Sequence, residues 1–413
     1  MRTGGTFAAI DLGSTKVCTI VGDLALGPRP RILGVGTAPS HGISRAMVDN
    51  IAEATESIRV SVEKAERASG TRIFSAYVSM SGSHIASLNN RGIVAIPQRD
   101  RPISVDDVER VIEASRTVSI PTNREIVHAV PRYYVVDGQD HVSDPIGMYG
   151  QRLDVETHVV TGALSAIQNV RKCVEGSGIQ VDDLVLSPMA AALSVLDEEE
   201  REQGVVLADI GGGTTDIAIF SEGAVMHTSV LPVGGYHLTR DLVVGLRVPY
   251  HAAEQLKREH GNVMTSISEV GVVEVEAFGT ERRREVPLRR IGEVLQARAE
   301  EMLEMIFMEA RRAGYEETLS AGLVLTGGTA GLRGLPELAE QVLGIPARVG
   351  VPRHLQGLLE AVDDPALATA TGLLEWAVFA SAGEVRSPRA TSSLDLSGLW
   401  RKLGSMARAV LPQ

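Results

Sequence analysis

Apolar and polar positions alternate from Thr6 to Asp23 in a way that predicts a β-hairpin. Apolar residues run up to Asp11, a tip of Gly13, Ser14, Thr15 and Lys16 follows, and Val17 to Val21 form a second apolar run. The same order returns from Gly204 to Ser221. Val205 to Ala208 lead to Asp209, then come Gly211, Gly212, Gly213, Thr214, Thr215 and Asp216, then Ile217 to Phe220. A third strand is predicted after each hairpin, Arg31 to Thr37 and His227 to Leu231, the second ending at Gly234 and Gly235. Aligning Asp11 with Asp209 makes the chain two half-molecules that begin alike roughly two hundred residues apart, an internal repeat.

Helical spacing of Ile51, Ile58 and Val62 predicts a helix from Asp49 to Arg67, followed by a strand from Ile73 to Met80. A block then interrupts the plan. It contains a strand from His84 to Ile96, a helix capped by Ser104, and strands from Arg124 to Val136 and Val155 to Ala163, large enough for a subdomain. The plan resumes with a helix from Ser165 to Gly176, a strand from Val181 to Leu186 and a helix starting near Pro188. A second interruption has helices Leu238 to Leu246 and Ala252 to His260, strands Val272 to Phe278 and Glu285 to Leu288, and a helix Ile291 to Arg312. A strand ending in Gly327, Gly328 and Thr329 follows, and Pro365 to Phe379 is the last packed helix.

The predicted division is therefore 1–84 with 165–200 as the first main domain, 85–164 as its insert, 201–235 with 313–383 as the second main domain, and 236–312 as the second insert. Residues 384–394 lose periodicity and gain Ser, Thr, Pro and Arg, as a linker does. Beyond them Leu396, Leu399, Trp400, Leu403, Met406 and Val410 recur at three and four, with Arg401, Lys402 and Arg408 elsewhere on the wheel. A short basic amphipathic helix in an acidic chain predicts an in-plane anchor for anionic lipid, each basic residue adding ~1 kcal/mol near the surface. The plainer alternative is a terminal helix packed on its own domain or in a partner's groove.

Composition narrows the class. A net charge of −12 argues against a nucleic-acid binder. Aromatics at 4% leave Val, Leu, Ile and Ala to fill the core. Cys18 and Cys173, each in an apolar segment, read as buried thiols of a reducing cytosol. The N-terminus lacks a signal-peptide pattern, and no apolar run approaches the ~20 residues that span a bilayer. A cytosolic chain is expected.

The chemistry lies in the hairpin tips. Glycine-rich backbone lets several N–H groups approach a polyphosphate, and an aspartate ending the strand suits Mg²⁺, which keeps much of its water. Either tip alone could be an ordinary surface turn; two in register predict a clamp on a phosphate and its metal. Gly327 and Gly328 after a strand would let backbone pass close to a ligand. Glu254 and Lys257 share one helical face, for which a solvated ion pair is the simplest expectation. No further carboxylate stands out beside the loops as a general base.

The strand order resembles the RNase H-like plan of actin, Hsp70 and sugar kinases, and the inserts resemble one family in particular. REIVHAVPRYYVVDG with DPIGMYGQRLDVETHVVTG, then SAIQNVRKCVEGSGIQVDDLVLSPMAAALSVL, VVLADIGGGTTDIAIF and the amphipathic tail, resemble the FtsA family of bacterial cell-division adaptors over nearly the whole chain. The resemblance implies an actin-like α/β fold of two duplicated domains with two inserted subdomains. It implies ATP and Mg²⁺ in the cleft, Gly13 to Lys16 and Gly211 to Thr215 on the phosphates, Asp11 and Asp209 on the metal through water, and at most slow hydrolysis. Gly235, Glu254, Lys257, Gly327, Gly328 and Thr329 would border ribose and adenine. It also implies filaments, the FtsZ tail on 236–312, later division proteins on 85–164, and residence at the cytoplasmic face of the membrane at the division site. Gln356-Gly357 and Asp364 depart from the family pattern and bear on loop geometry near the nucleotide. A small-molecule kinase using Asp209 as base, and a PilM-like pilus-assembly protein, are the rival readings.

Overall fold

Two sheets with the same strand order form the frame. The computed structural model describes residues 5–23, 29–97, 100–265, 271–278, 283–353 and 355–384. The first sheet runs Gln180–Leu186, Ser75–Met80, Thr6–Leu12, Lys16–Asp23, Arg31–Pro39. The second runs Ala347–Val349, Gly322–Thr326, Val205–Ile210, Thr215–Ser221, Ala224–Leu231. Each has an antiparallel hairpin and its third strand on one side, and a parallel neighbour of the first strand on the other. Covered faces explain why these strands read as almost unbroken apolar runs, with Ile10, Ile20, Leu207 and Phe220 buried.

Local signals set most boundaries. Asn50 caps the helix Ile51–Ser69 by accepting the Ala52 and Glu53 N–H groups at 3.1 and 3.3 Å, and Gly70 ends it in the left-handed conformation. Ala54, Ile58, Val62 and Ala65 recur at three and four and are buried.

Between Ser75–Met80 and the helix Leu164–Gly176 lies an antiparallel sheet ordered Ala86–Ala95, Arg152–Ala163, Arg124–Val136, Gln139–Val142, with the helix Val105–Arg116 packed on it. Two details differ from the periodicity. The strand expected from Val155 begins at Arg152, because the buried Asp154 is held by Arg91 at 2.6 Å and by Arg152 at 2.8 Å. Gln139–Val142 is a strand despite its polarity, turned back by Asp137 and Gly138, both at positive φ. This sheet also reaches the second half. Ser87 Oγ donates to the Thr228 carbonyl at 2.8 Å, and Arg132 donates to the Tyr315 hydroxyl at 2.8 Å.

The second interruption contains helices Gly235–Leu246 and Tyr250–His260, a hairpin Val272–Glu276 with Arg283–Pro287, and a helix Leu288–Ala313. Leu238, Leu242, Ile291, Leu295 and Leu303 join the apolar core on that face of the second sheet.

The chain crosses between halves twice. Helix Ser187–Val195 follows the first sheet, and helix Ala368–Glu384 returns after a short 3₁₀ turn, Pro365–Leu367. These helices pack so closely that a Cβ on Gly372 would fall 1.8 Å from the Ala190 carbonyl oxygen, so only glycine fits. Ala368–Glu384 also rests on Thr6–Leu12, Lys16–Asp23 and Ser75–Met80. Gln356–Gly357 pairs with Arg31 and Ile32 at the edge of the first sheet. Among the described residues no helix is long and apolar enough to cross a membrane. The predicted linker beyond Glu384 and the amphipathic segment lie outside the described residues.

Candidate functional site

The two hairpin tips face each other across the cleft between the halves, and each is closed by the same kind of backbone hydrogen bond. Gly13 N–H donates to the Lys16 carbonyl at 3.1 Å; Gly211 N–H donates to the Thr214 carbonyl at 2.9 Å. The tips nearly touch. Tyr236 donates its hydroxyl to the Ser14 carbonyl at 2.7 Å, and a Cβ on Gly212 would lie 2.5 Å from the Thr15 methyl.

The cleft holds a cavity of about 1010 Å³. Asp11, Gly13, Ser14, Thr15 and Lys16 line it from the first half, and Asp209, Gly211, Gly212, Thr214 and Gly235 from the second. Glu254, Lys257, Gly328 and Thr329 line its outer part. Three predicted residues stand behind the wall. Gly213 packs against Ser14 and Arg45, and Thr215 is buried with its hydroxyl on the Val233 carbonyl at 2.8 Å. Gly327, at φ +84°, closes over Asp209, where a Cβ would meet Oδ1 at 2.2 Å. The predicted membrane residues Leu396, Leu399, Trp400, Arg401, Lys402, Leu403, Met406, Arg408 and Val410 lie outside the described residues.

Three carboxylates, not two, converge on this cleft. Asp11 accepts the Ser79 hydroxyl at 2.8 Å, and burial raises its pKa. Asp209 accepts the Thr369 hydroxyl at 2.7 Å; burial, then the charge of Asp11, push it up to about 6. Asp216 sits opposite Asp209 in the hairpin register, accepts the Ser81 hydroxyl from the other half, and is pushed to about 8 by burial and then by Asp209. Asp216 is thus a third acid beside the loops, where the sequence named none as a general base. The available signal was one acid in an otherwise apolar strand. Ser79, Ser81, Tyr236 and Thr369 were also missed, because their approach depends on contacts remote in sequence.

Crowded carboxylates resist ionisation unless a cation joins them. Among the described residues no three His, Cys, Asp or Glu are grouped as a ready-made metal site. That donor set fits a hard cation bound mainly by water and phosphate oxygens, with backbone N–H groups and the hydroxyls of Ser14 and Thr15 for the phosphates.

Glu254 and Lys257 are not the solvated pair that their spacing suggests. The Lys257 ammonium donates to Glu254 at 2.7 Å, Thr239 Oγ1 at 2.8 Å and the Gly235 carbonyl at 3.2 Å, and its side chain is 14% exposed. The helix starting at Gly235 brings the Gly235 carbonyl and the Thr239 hydroxyl to the ammonium, so the pair braces the wall of the cleft. Thr329 likewise donates to the Gly211 carbonyl at 3.1 Å, tying the double-glycine turn to the second tip.

Comparison with known proteins agrees with this architecture. A family profile described as cell division protein FtsA matches residues 206–372, and one described as an SHS2 domain inserted in FtsA matches residues 82–161. The cell division protein FtsA of Pseudomonas aeruginosa is 41% identical over 375 residues, covering 91% of this chain and 89% of its own. Among solved structures, a PilM–PilN type IV pilus biogenesis complex superposes with a TM-score of 0.65 at 17% identity, covering 90% of this chain and 98% of the other. MreB5 of Spiroplasma citri bound to ADP does so at 0.58 and 12%, covering 94% and 100%.

Proposed function

This chain belongs to the FtsA family of cell-division proteins and has the actin-like fold, and on that footing we propose that it is an ATP-binding, filament-forming adaptor that holds the FtsZ ring to the cytoplasmic face of the membrane at the division site. The observation that carries this reading is the matched pair of acid-headed tips facing one cavity.

Gly13 to Lys16 on one side and Gly211, Gly212 and Thr214 on the other cradle the triphosphate, with Gly213 and Thr215 shaping the second tip from behind. Asp11 and Asp209 hold Mg²⁺ through its water, and that ion neutralises charge on the phosphates. Gly235, the Glu254–Lys257 brace, Gly328 and Thr329 frame ribose and adenine, and Gly327 acts behind them by closing over Asp209. A nucleotide gripped from both halves fixes their angle, and a fixed angle favours head-to-tail stacking into protofilaments. The chain divides for these tasks at the limits given above, 1–84 with 165–200, 85–164, 201–235 with 313–383, and 236–312.

The second insert takes the FtsZ tail. A groove of about 660 Å³ lies there, lined by Val243, Val244 and Phe278 together with Arg247, Arg283 and Arg284. A lining of apolar and cationic side chains suits an extended peptide carrying both apolar and acidic side chains. The insert at 85–164 is left for later division proteins, and the segment 395–413 for anionic lipid, where one helix binds weakly and a filament of many binds firmly.

Sedimentation with anionic liposomes tests the adaptor reading. Trp400→Glu should stop the full chain pelleting with lipid while ATP binding persists. Pelleting that survives the substitution would end the membrane assignment, and a wild-type chain that does not bind ATP would end the nucleotide assignment.

A further inference from the structure

A duplicated fold predicts duplicated support for the two metal-facing aspartates, and the structure breaks that symmetry. Asp11 is held from within its own sheet. Ser79, one step beyond the Ile10–Val78 register pair, donates to Asp11 Oδ1 at 2.8 Å and accepts the Leu12 N–H at 2.8 Å. The register partner of Asp209 in the second sheet is Thr326. Its hydroxyl is spent on the chain leading away from the sheet, with the Gly350 carbonyl at 2.9 Å and the Pro365 carbonyl at 3.1 Å.

Asp209 is held instead by Thr369, whose hydroxyl donates to Oδ2 at 2.7 Å. Thr369 is buried, at the start of helix Ala368–Glu384. That helix lies along the first sheet, with Leu374 against the position a Cβ would take on Gly22. The carboxylate of the second half is therefore aimed by a helix resting on the first. Its other oxygen lies under Gly327, so one oxygen is tethered and one is covered by backbone.

Resting on the nucleotide reading above, we propose that Thr369 is a positioning residue, holding Asp209 at the angle at which it meets the hydrated divalent cation carried by a nucleoside triphosphate. Tether and carboxylate both fall in the second main domain as divided above, while the helix that carries Thr369 also packs on the first sheet. Groups that orient a metal-binding side chain without touching the metal typically change metal affinity by about 10- to 100-fold when removed.

Calorimetric titration of the full chain with ATP, once in Mg²⁺ and once in EDTA, reads this directly. In the wild type Mg²⁺ should tighten ATP binding. Thr369→Val, which removes the hydroxyl and keeps the shape, should cut that enhancement by about tenfold or more and leave the EDTA affinity unchanged. Thr369→Ser should restore it. Should the valine variant not fold, Thr369→Ala is compared with Thr369→Ser by the same ratio. A hydroxyl-free variant with full magnesium enhancement, equal weakening in both conditions, or no rescue by serine overturns the proposal. A wild type whose ATP binding ignores magnesium overturns this and the metal assignment together; full wild-type enhancement with an unaffected valine variant overturns this alone.

Discussion

Acidification from pH 7.5 to 5 should loosen the protein through buried imidazoles, foremost that of His158, which fastens the inserted sheet to the second half. His158 is 1% exposed and lies between Asn89 Oδ1, 2.8 Å from Nδ1, and Thr228 Oγ1, 3.0 Å from Nε2. Asn89 Oδ1 can only accept, so Nδ1 carries the proton and Nε2 accepts the Thr228 hydroxyl. Burial, then His227 and Arg132, then His128, push its pKa down to about 3. In the unfolded chain it titrates near 6.5. Between these values the unfolded chain holds a proton that the folded chain lacks, so stability falls as pH drops below about 6.5. At pH 5 the loss from this group is about 2 kcal/mol, a sizeable part of the ~5–15 kcal/mol that domains possess. His128 acts in the same sense: burial lowers it to about 4, and its Nε2 must stay bare to accept the Leu186 N–H at 3.0 Å. Urea unfolding of the wild type and of His158→Gln at both pH values isolates the first term, since the other titrating groups cancel in the difference. The stability advantage of the wild type over the variant should shrink by about 2 kcal/mol on going to pH 5. An advantage equal at the two pH values would refute the neutral buried imidazole.

Gly327→Ala should lower the melting temperature by the equivalent of about 1–3 kcal/mol and weaken ATP binding in Mg²⁺, because its φ of +84° is a glycine conformation and the new methyl would strike Asp209 Oδ1; calorimetry showing wild-type melting and binding would contradict the close approach. Val244→Glu, at a site 72% exposed on the groove, should weaken binding of an FtsZ tail peptide by about tenfold and leave melting within about 0.5 kcal/mol of wild type. Fluorescence anisotropy of a labelled peptide measures it, and unchanged affinity would move the tail to another surface.

What was legible in the chain was local. Each tip announces itself by an apolar run, an acid and glycines within about fifteen residues of sequence, and each is built as that pattern says. The helix Ile51–Ser69 follows its apolar spacing because Asn50 and Gly70 bound it with their own backbone chemistry. Misreadings arose where charge is matched by a distant partner. Asp154 looks like a turn residue until Arg91 and Arg152 meet it. Glu254 and Lys257 look solvated until Thr239 and the Gly235 carbonyl close around the ammonium. Asp216, given no role by the pattern, is met by Ser81 from the other half. Periodicity reports which face a residue takes, and is silent about what arrives on that face.

The same limit explains why an argument from the repeat succeeds at the tips and fails at their supports. Tip geometry is set by residues within one hairpin, so duplication copies it. Support for the aspartates draws on whatever lies beside the first strand of each sheet, and there the halves have different duties. Ser79 sits in a strand whose chain runs on into the inserted sheet, which leaves its hydroxyl free to hold Asp11. Thr326 stands where the chain must turn toward the crossover, and fixing Gly350 and Pro365 uses its hydroxyl. The vacated role falls to Thr369, on the element that joins the halves. One aspartate is thereby held by a neighbouring strand of its own sheet and the other by a helix that also packs on the opposite sheet.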